Sequence, residues 1–448
     1  SFTKEIMSQI VKISKGANIK LTGTAEKVLG NIEMPTSFAV CPPNFHGLMP
    51  KLSVKTGDKV KAGSTLFFDK YNEQIKFTSP ISGEVTEIIR GAKRKILEVK
   101  LKADAVLAYE QFDVSSASAE DVKSALLISG LWPFVKQRPY DIVANPSDSP
   151  KAIHITGIDS SPLAADYEFL IHGQEDVFQA GLDAIAKLTL GKVHLNVNAN
   201  TVFDSAKNVQ LNKISGPHPA GNVGIQIHHI DPVNKGEIVW VLKAPDVLAI
   251  GKLFKEGKYD ASKVVALGGS KVTSPKYYKV LPGANIKEMF GNEINSGARV
   301  ISGNVLSGDD VSLDGYIGFY DYQICAIPEG GEDEMFGWMA PGFNKFSLSK
   351  TFFSWMTPNK EYDLNTNMNG EERAFVVTGE YEKVFPMDIL PVFLLKSMIT
   401  EDIDAMEGLG VYEVAPEDFA LCEYGCTSKI ETQKIVRKAL DLVKQECG

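Results

Sequence analysis

The stretch Gly130-Leu-Trp-Pro-Phe-Val-Lys-Gln-Arg-Pro139 sets two flat apolar side chains, Trp132 and Phe134, beside two cationic donors, Lys136 and Arg138. A quinone head asks for that combination: a planar ring to sandwich and two carbonyl oxygens to receive hydrogen bonds. The competing reading is a loop whose aromatics are anchored in the core. Gly216-Pro-His-Pro-Ala-Gly221 is a tight loop around His218, either a functional histidine or a rigid connection. All seven histidines lie between His46 and His229, without an H-E-x-x-H motif, and their spacing names no metal site. His228 and His229 are adjacent and on a strand would point to opposite faces. Cys422-Glu-Tyr-Gly-Cys426, with the distant Cys447, has too few thiols at the wrong spacing for a cubane iron–sulfur cluster. No catalytic triad, paired-carboxylate motif or nucleophile elbow is legible. No G-x-G-x-x-G follows a strand and no P-loop occurs, so a glycine-cradled nucleotide or flavin is not expected.

Several kinds of element must position these residues. From Ser37 to Lys102, short β-type runs alternate with Gly-Asp, Ala-Gly and Ser-Pro turn signals, the pattern of a small all-β barrel. The spacing Val54-Lys-Thr-Gly-Asp-Lys-Val60, Gly63, then Ser79-Pro-Ile-Ser-Gly83 and Val85 resembles a lipoyl-type barrel-sandwich hybrid. Carrier domains of that type modify a lysine at a hairpin tip. Lys70 is the nearest candidate here, and a plain surface lysine is the preferred reading. Residues 51–102 hold 12 Lys/Arg against 6 Asp/Glu, a basic unit in an acidic chain. Residues 103–268 alternate strand-like runs (152–156, 193–197) with helical spacing (119–128, 175–188), which predicts a Rossmann-like α/β domain. Residues 269–330 read as a β-grasp, soluble-ligand-binding module with one short helix around Glu288-Met-Phe290. Residues 331–384 form a connecting region. Within it, positions 336–355 hold seven aromatics, among them Trp338, Phe343, Phe353 and Trp355. That run is either core or an apolar docking surface. Residues 385–448 are predicted helical, with Ser428 and Glu431 as a capping box and an apolar stripe from Ile435 to Val443. The predicted class is therefore multi-domain α+β, preceded by an N-terminal segment, residues 1–36.

Composition narrows the function classes. The chain has 448 residues, 44% hydrophobic and 23% charged, enough for several cores. Its formal net charge of −9 argues against a dedicated nucleic-acid binder. No stretch reaches the roughly 20 apolar residues of a membrane span, and no signal peptide is legible. Five scattered cysteines suit a reducing compartment rather than a disulfide framework.

Five segments in order along the chain carry a family resemblance. They are Val11-Lys-Ile-Ser-Lys-Gly16 with Leu21-Thr-Gly23, and Lys76-Phe-Thr-Ser-Pro-Ile-Ser-Gly83 with Arg90-Gly-Ala-Lys-Arg94. Next come Gly130-Leu-Trp132 with Arg138-Pro139, Ser215-Gly-Pro-His-Pro-Ala-Gly221 with Ile230-Asp-Pro232, and Cys422-Glu-Tyr-Gly-Cys426. The chain resembles the A-subunit family of bacterial Na⁺-translocating NADH:quinone oxidoreductases. That family is related to one component of the Rnf complex and to the flavin-carrying, NADH-binding subunit of complex I. The resemblance implies a peripheral subunit on the cytoplasmic side of the inner membrane, in a respiratory pump coupling NADH oxidation by quinone to Na⁺ export. It implies quinone as the ligand and flavins and iron–sulfur centres confined to partner subunits, both membrane-embedded and peripheral. The alternative is a structural docking subunit with no ligand of its own.

Overall fold

A computed structural model describes residues 8–115, 117–199, 201–331, 337 and 339–448. The first unit is β-rich. Strands Ser37–Val40, Ile96–Ala103, Gly83–Arg90 and Lys59–Val60 form one sheet, and Pro50–Leu52, Thr65–Asp69 and Lys76–Thr78 a second. Period-two alternation explains the packing: Val99 and Leu101 are buried while Lys102, the next residue along the strand, is exposed. Gly83 sits where no side chain fits, because a Cβ there would lie 1.9 Å from the Lys102 carbonyl oxygen.

The second unit is a seven-stranded sheet. Five parallel strands run in the order Ile10–Lys12, Gln210–Ser215, Lys192–Val197, Ala152–Thr156 and Val239–Lys243. The short antiparallel strands Lys136–Arg138 and Ile142–Val143 complete the edge. Strand Ala152–Thr156 is buried on both faces, as a parallel sheet sandwiched by helices requires. Helices Glu175–Ile185 and Ala244–Glu256 cross through a pair of glycines: a Cβ on Gly251 would lie 1.9 Å from the Val177 carbonyl oxygen. Helix Val223–Ile230 packs against strand Ala152–Thr156 through an apolar cluster that includes Val223, Ile227 and Val241. His228 and His229 therefore lie on a helix, not on a strand.

The third unit is a six-stranded mixed sheet. Its order is Asp309–Asp310, Ala298–Ser302, Gln323–Pro328, Lys263–Gly268, Lys276–Val280 and Glu26–Gly30. The N-terminal segment stitches the molecule together, since it supplies edge strands to both large sheets. Its Ile13, Ile19 and Leu21 also join a core built by the C-terminal helices Pro391–Ile399, Ile403–Gly408, Ala420–Gly425 and Thr432–Cys447. In the last helix Val436, Ala439, Leu440 and Val443 are buried, following the predicted stripe. The expected capping box does not form: the helix begins at Thr432, and the Ser428 hydroxyl donates to the Ala374 carbonyl instead. Among the described residues, no helix is long and apolar enough to cross a membrane.

Candidate functional site

Helix Ala119–Ser129 begins at a capping box, with Ser118 and Asp121 exchanging side-chain and backbone hydrogen bonds. It ends at Gly130, left-handed at φ 79°, where a Cβ would lie 2.2 Å from Thr78 Oγ1. That contact presses the start of the Trp132–Arg138 segment against the β-rich unit. Trp132 is fully buried, its Nε1 donating to the Ala144 carbonyl at 2.7 Å and its ring set edge-on to Trp240 at 5.3 Å. Phe134 stacks on Phe319 with centroids 4.5 Å apart and planes 25° apart. Lys136 pairs with Asp141 at 2.6 Å and lies over the Tyr320 ring at 5.4 Å.

Arg138 is only 1% exposed. Its guanidinium donates to Glu417 Oε1 at 2.8 Å and lies 3.5 Å from Asp418 Oδ2, both in the C-terminal unit. Asp418 is pushed up to about 7 by burial, against the pull of Arg138. Asp141 is held well below the usual carboxylate range by Lys136 and Arg138, in spite of its burial. Trp132 and Arg138 therefore spend their polar atoms inside the protein.

A narrow cleft opens beside this segment, where the β-rich unit, the seven-stranded sheet unit and the third sheet meet. Its walls are aromatic: Phe45 lies 4.4 Å from Phe77 and 5.0 Å from Phe319, centroid to centroid. Gly130 lines it directly, and Phe134 backs it through Phe319. The half-buried Asn44 carboxamide has no hydrogen bond to the described residues and is free to donate. Burial and Glu98 push the Cys41 thiol up to about 12, so it stays protonated, a weak donor rather than a nucleophile. Flat apolar walls with one free amide are the chemistry of a planar ligand bearing carbonyl groups. A second, more polar hollow of about 270 Å³ adjoins it across Cys41 and Asn44 and carries Glu98, Asp309 and Asp321.

His218 lies in the loop after strand Gln210–Ser215, at the carboxyl ends of the parallel strands. Its Nδ1 is 3.0 Å from Ser160 Oγ, its backbone N–H donates to Asn18 Oδ1, and it is 4% exposed. Burial lowers its imidazole from 6.5 to about 4, with Asp159 opposing. Between those values the unfolded chain binds the extra proton. His218 thus contributes stability that is complete above pH 6.5 and is lost as the pH falls through about 4. The expected slope is about 1.4 kcal/mol per pH unit. Urea titrations at several pH values should show a shallower acid loss in His218→Gln; equal slopes would contradict this.

Phe343, Phe353 and Trp355 are 66%, 41% and 55% exposed, and Phe343 meets Phe353 at 5.8 Å. Trp338 lies outside the described residues. Lys70 is exposed at the start of the turn between strands Thr65–Asp69 and Lys76–Thr78. Cys422 and Cys426 are buried, and Tyr381 donates its hydroxyl proton to Cys426 Sγ at 2.9 Å. The cleft aromatics leave no mark in spacing, because Phe45 and Phe77 stand singly and Phe319 lies some 240 residues further along the chain. Spacing also missed His154 and His194, which are register partners on adjacent strands.

Comparisons with known proteins agree with this architecture. Residues 11–104 match a family model described as the NqrA N-terminal barrel-sandwich hybrid domain. Residues 117–259 match the NqrA second alpha/beta domain, and residues 264–312 the NQRA C-terminal domain. A protein of Pasteurella multocida, named as the A-subunit of Na(+)-translocating NADH-quinone reductase, is 38% identical over 447 residues, 98% of this chain and 100% of its own length. This chain belongs to the NqrA family, the A-subunits of the Na⁺-translocating NADH-quinone reductases. NqrA relatives from Vibrio anguillarum and Neisseria meningitidis serogroup A are 37% and 36% identical, again over 98% of this chain and all of their own. Membership of the NqrA family makes the first β-rich unit a barrel-sandwich hybrid and the chain one subunit of a multi-subunit oxidoreductase and translocase. An NAD⁺-reducing [NiFe]-hydrogenase chain aligns over 48% of this chain and 47% of its own at 11% identity and a TM-score of 0.35.

Proposed function

We propose that this subunit holds the quinone for a pump that moves electrons from NADH to quinone and exports Na⁺. The quinone head docks at the mouth of the cleft, against the packed rings of Phe45, Phe77 and Phe319, with Asn44 donating to one carbonyl. The aromatic enclosure with one uncommitted amide donor carries this reading. The Gly130–Arg138 segment belongs to the site as its wall: Gly130 at the surface, Phe134 behind Phe319, Lys136 over Tyr320. Trp132 and Arg138 position that wall from within the core. No flavin or iron–sulfur cluster is assigned to this chain; electrons arrive from partner subunits. The seven-stranded unit is Rossmann-like, the third sheet a β-grasp ligand-binding module, and the end of the chain a helical domain. Domain limits are 37–102, 103–268, 269–330 and 385–448, with 1–36 as an N-terminal segment and 331–384 as an aromatic-rich connecting region.

The test is calorimetric titration of the purified full-length chain with a short-tailed ubiquinone, and with free flavin as control. Saturable quinone binding without flavin binding supports the proposal; no quinone binding refutes it.

A docking role accompanies the quinone role. Exposed Phe343, Phe353 and Trp355 form the surface that meets a membrane subunit from the cytoplasmic side. Phe353→Ala combined with Trp355→Ala should release the chain into the soluble fraction when membranes are floated. Full retention of that double variant would remove these residues from the docking surface.

A further inference from the structure

Strands Ala152–Thr156 and Lys192–Val197 pair in parallel with His154 opposite His194. Side chains two apart share a face of a sheet, so Thr156 and Asn196 lie on the same face as the two histidines. Both imidazoles are interior, at 0% and 3% exposed, and they stack at 4.5 Å with planes 15° apart. Asp231, at the C-terminal end of helix Val223–Ile230, completes a group whose donor atoms all lie within 4.8 Å of one another. No other such group of three occurs among the described residues.

His154 is the decisive residue. Its Nδ1 and Nε2 are both buried and neither has a hydrogen-bond partner. Its neighbours on the same face are provided for: Thr156, Asn196, Asn212 and Gln226 satisfy one another in a continuous network. A buried imidazole with two orphaned nitrogens beside this network is missing a partner.

We propose that His154, His194 and Asp231 form a binding site for a divalent transition ion of the zinc class. Two imidazole nitrogens and one carboxylate oxygen are a ligand set used for Zn²⁺ and Co²⁺, and three protein ligands leave the fourth position to water. Metal–nitrogen bonds of about 2.0–2.1 Å require the donors to draw closer than they now lie. A rotation of each ring about χ2 unstacks the pair and turns one nitrogen of each toward a shared ion. Asn212 lies 3.2 Å from His194 Nδ1. The facing atom is its Nδ2, which also donates to Asn196 Oδ1, so Nδ1 is the unprotonated nitrogen of His194 and the one that would turn toward the ion. Asp231 stands at the entrance, its side chain 42% exposed. It is held at 3.0 Å by Lys151, which also donates to Glu237 and to the Pro232 carbonyl, both at 2.7 Å, and so can release it. The bound ion would clamp two central strands to the end of the helix above them.

The test uses the full-length chain, stripped with chelator and dialysed, then titrated with Co²⁺ alone and afterwards Zn²⁺. The expected result is one equivalent of Co²⁺ giving the intense visible bands of a tetrahedral site, their loss on Zn²⁺ addition, and a higher Tm with either ion. His194→Gln should abolish the bands, and Asp231→Asn should weaken Co²⁺ binding at least tenfold. Asp231 is half-exposed, so that variant reports even where His194→Gln fails to fold. Absence of bands and of a Tm shift, or Co²⁺ binding unchanged in Asp231→Asn, overturns the proposal.

Discussion

Arg138→Ala is expected to cost about 3–5 kcal/mol of folding stability, the usual penalty for leaving a buried charge without its partner. The guanidinium is 1% exposed and bridges strand Lys136–Arg138 to Glu417 and Asp418, 279 and 280 residues away. Without it Asp418, buried beside Glu417, keeps only the Ala415 backbone N–H and the Asn222 amide as counterweights. The network is not ideally satisfied even with Arg138, whose Nε and the Asp418 Oδ1 lack partners. Replacing both charges, as Arg138→Met with Asp418→Asn, should therefore recover most of the loss, because removing a pair together spares the uncompensated ion. Urea unfolding midpoints check both statements. A loss below about 1 kcal/mol in the single variant would mean that the pair behaves as a solvated surface bridge. In either variant, the folded protein should keep most of its quinone affinity, since Arg138 supports the cleft wall from behind and does not line it.

The second large effect concerns ligand binding. Phe319 contacts Phe45 at 5.0 Å and Phe134 at 4.5 Å, so it is both a wall of the cleft and the link to the Gly130–Arg138 segment. Phe319→Ala removes part of the aromatic wall against which the quinone is proposed to dock. Stacking is worth about 0.5–1.5 kcal/mol beyond area burial, and the lost apolar contact adds to it. A fall in quinone affinity of about tenfold or more follows, since about 1.4 kcal/mol is tenfold. Phe319→Leu keeps most of the volume and should fall between the two while folding normally. Equal affinity in wild type and Phe319→Ala would place the quinone elsewhere.

Much of the architecture was legible because local periodicity and turn chemistry agreed with the tertiary fold. Strand Ala152–Thr156, helix Ala119–Ser129 and the Gly-Asp and Ser-Pro turns of the barrel are of this kind. Strands Lys136–Arg138 and Ile142–Val143 were not legible, being three and two residues long, too short for any period. Helix Val223–Ile230 was missed because its eight residues are apolar on nearly every side, which hides the helical repeat. The division of the N-terminal segment between two sheets depends on pairing across some 200 residues and leaves no local mark.

The candidate site was legible only in part. Trp132, Phe134, Lys136 and Arg138 announced themselves by their spacing, and the segment does border the cleft. Spacing could not foresee that Trp132 and Arg138 would spend their hydrogen bonds internally, on Ala144, Glu417 and Asp418. Nor could it foresee that Phe45, Phe77 and Phe319, each unremarkable in the sequence, would converge from two different units. His154 and His194 sit in strand-like runs, but only the parallel register makes them neighbours.

The central claim is that quinone docks in the cleft walled by Phe45, Phe77 and Phe319. Hydrogen–deuterium exchange of the full-length chain, with and without saturating short-tailed ubiquinone, tests it directly. The account predicts slower exchange in residues 39–45, 77–81 and 317–320, with residues 131–138 following more weakly. Protection elsewhere with these segments unchanged, or no protection at all, would contradict it.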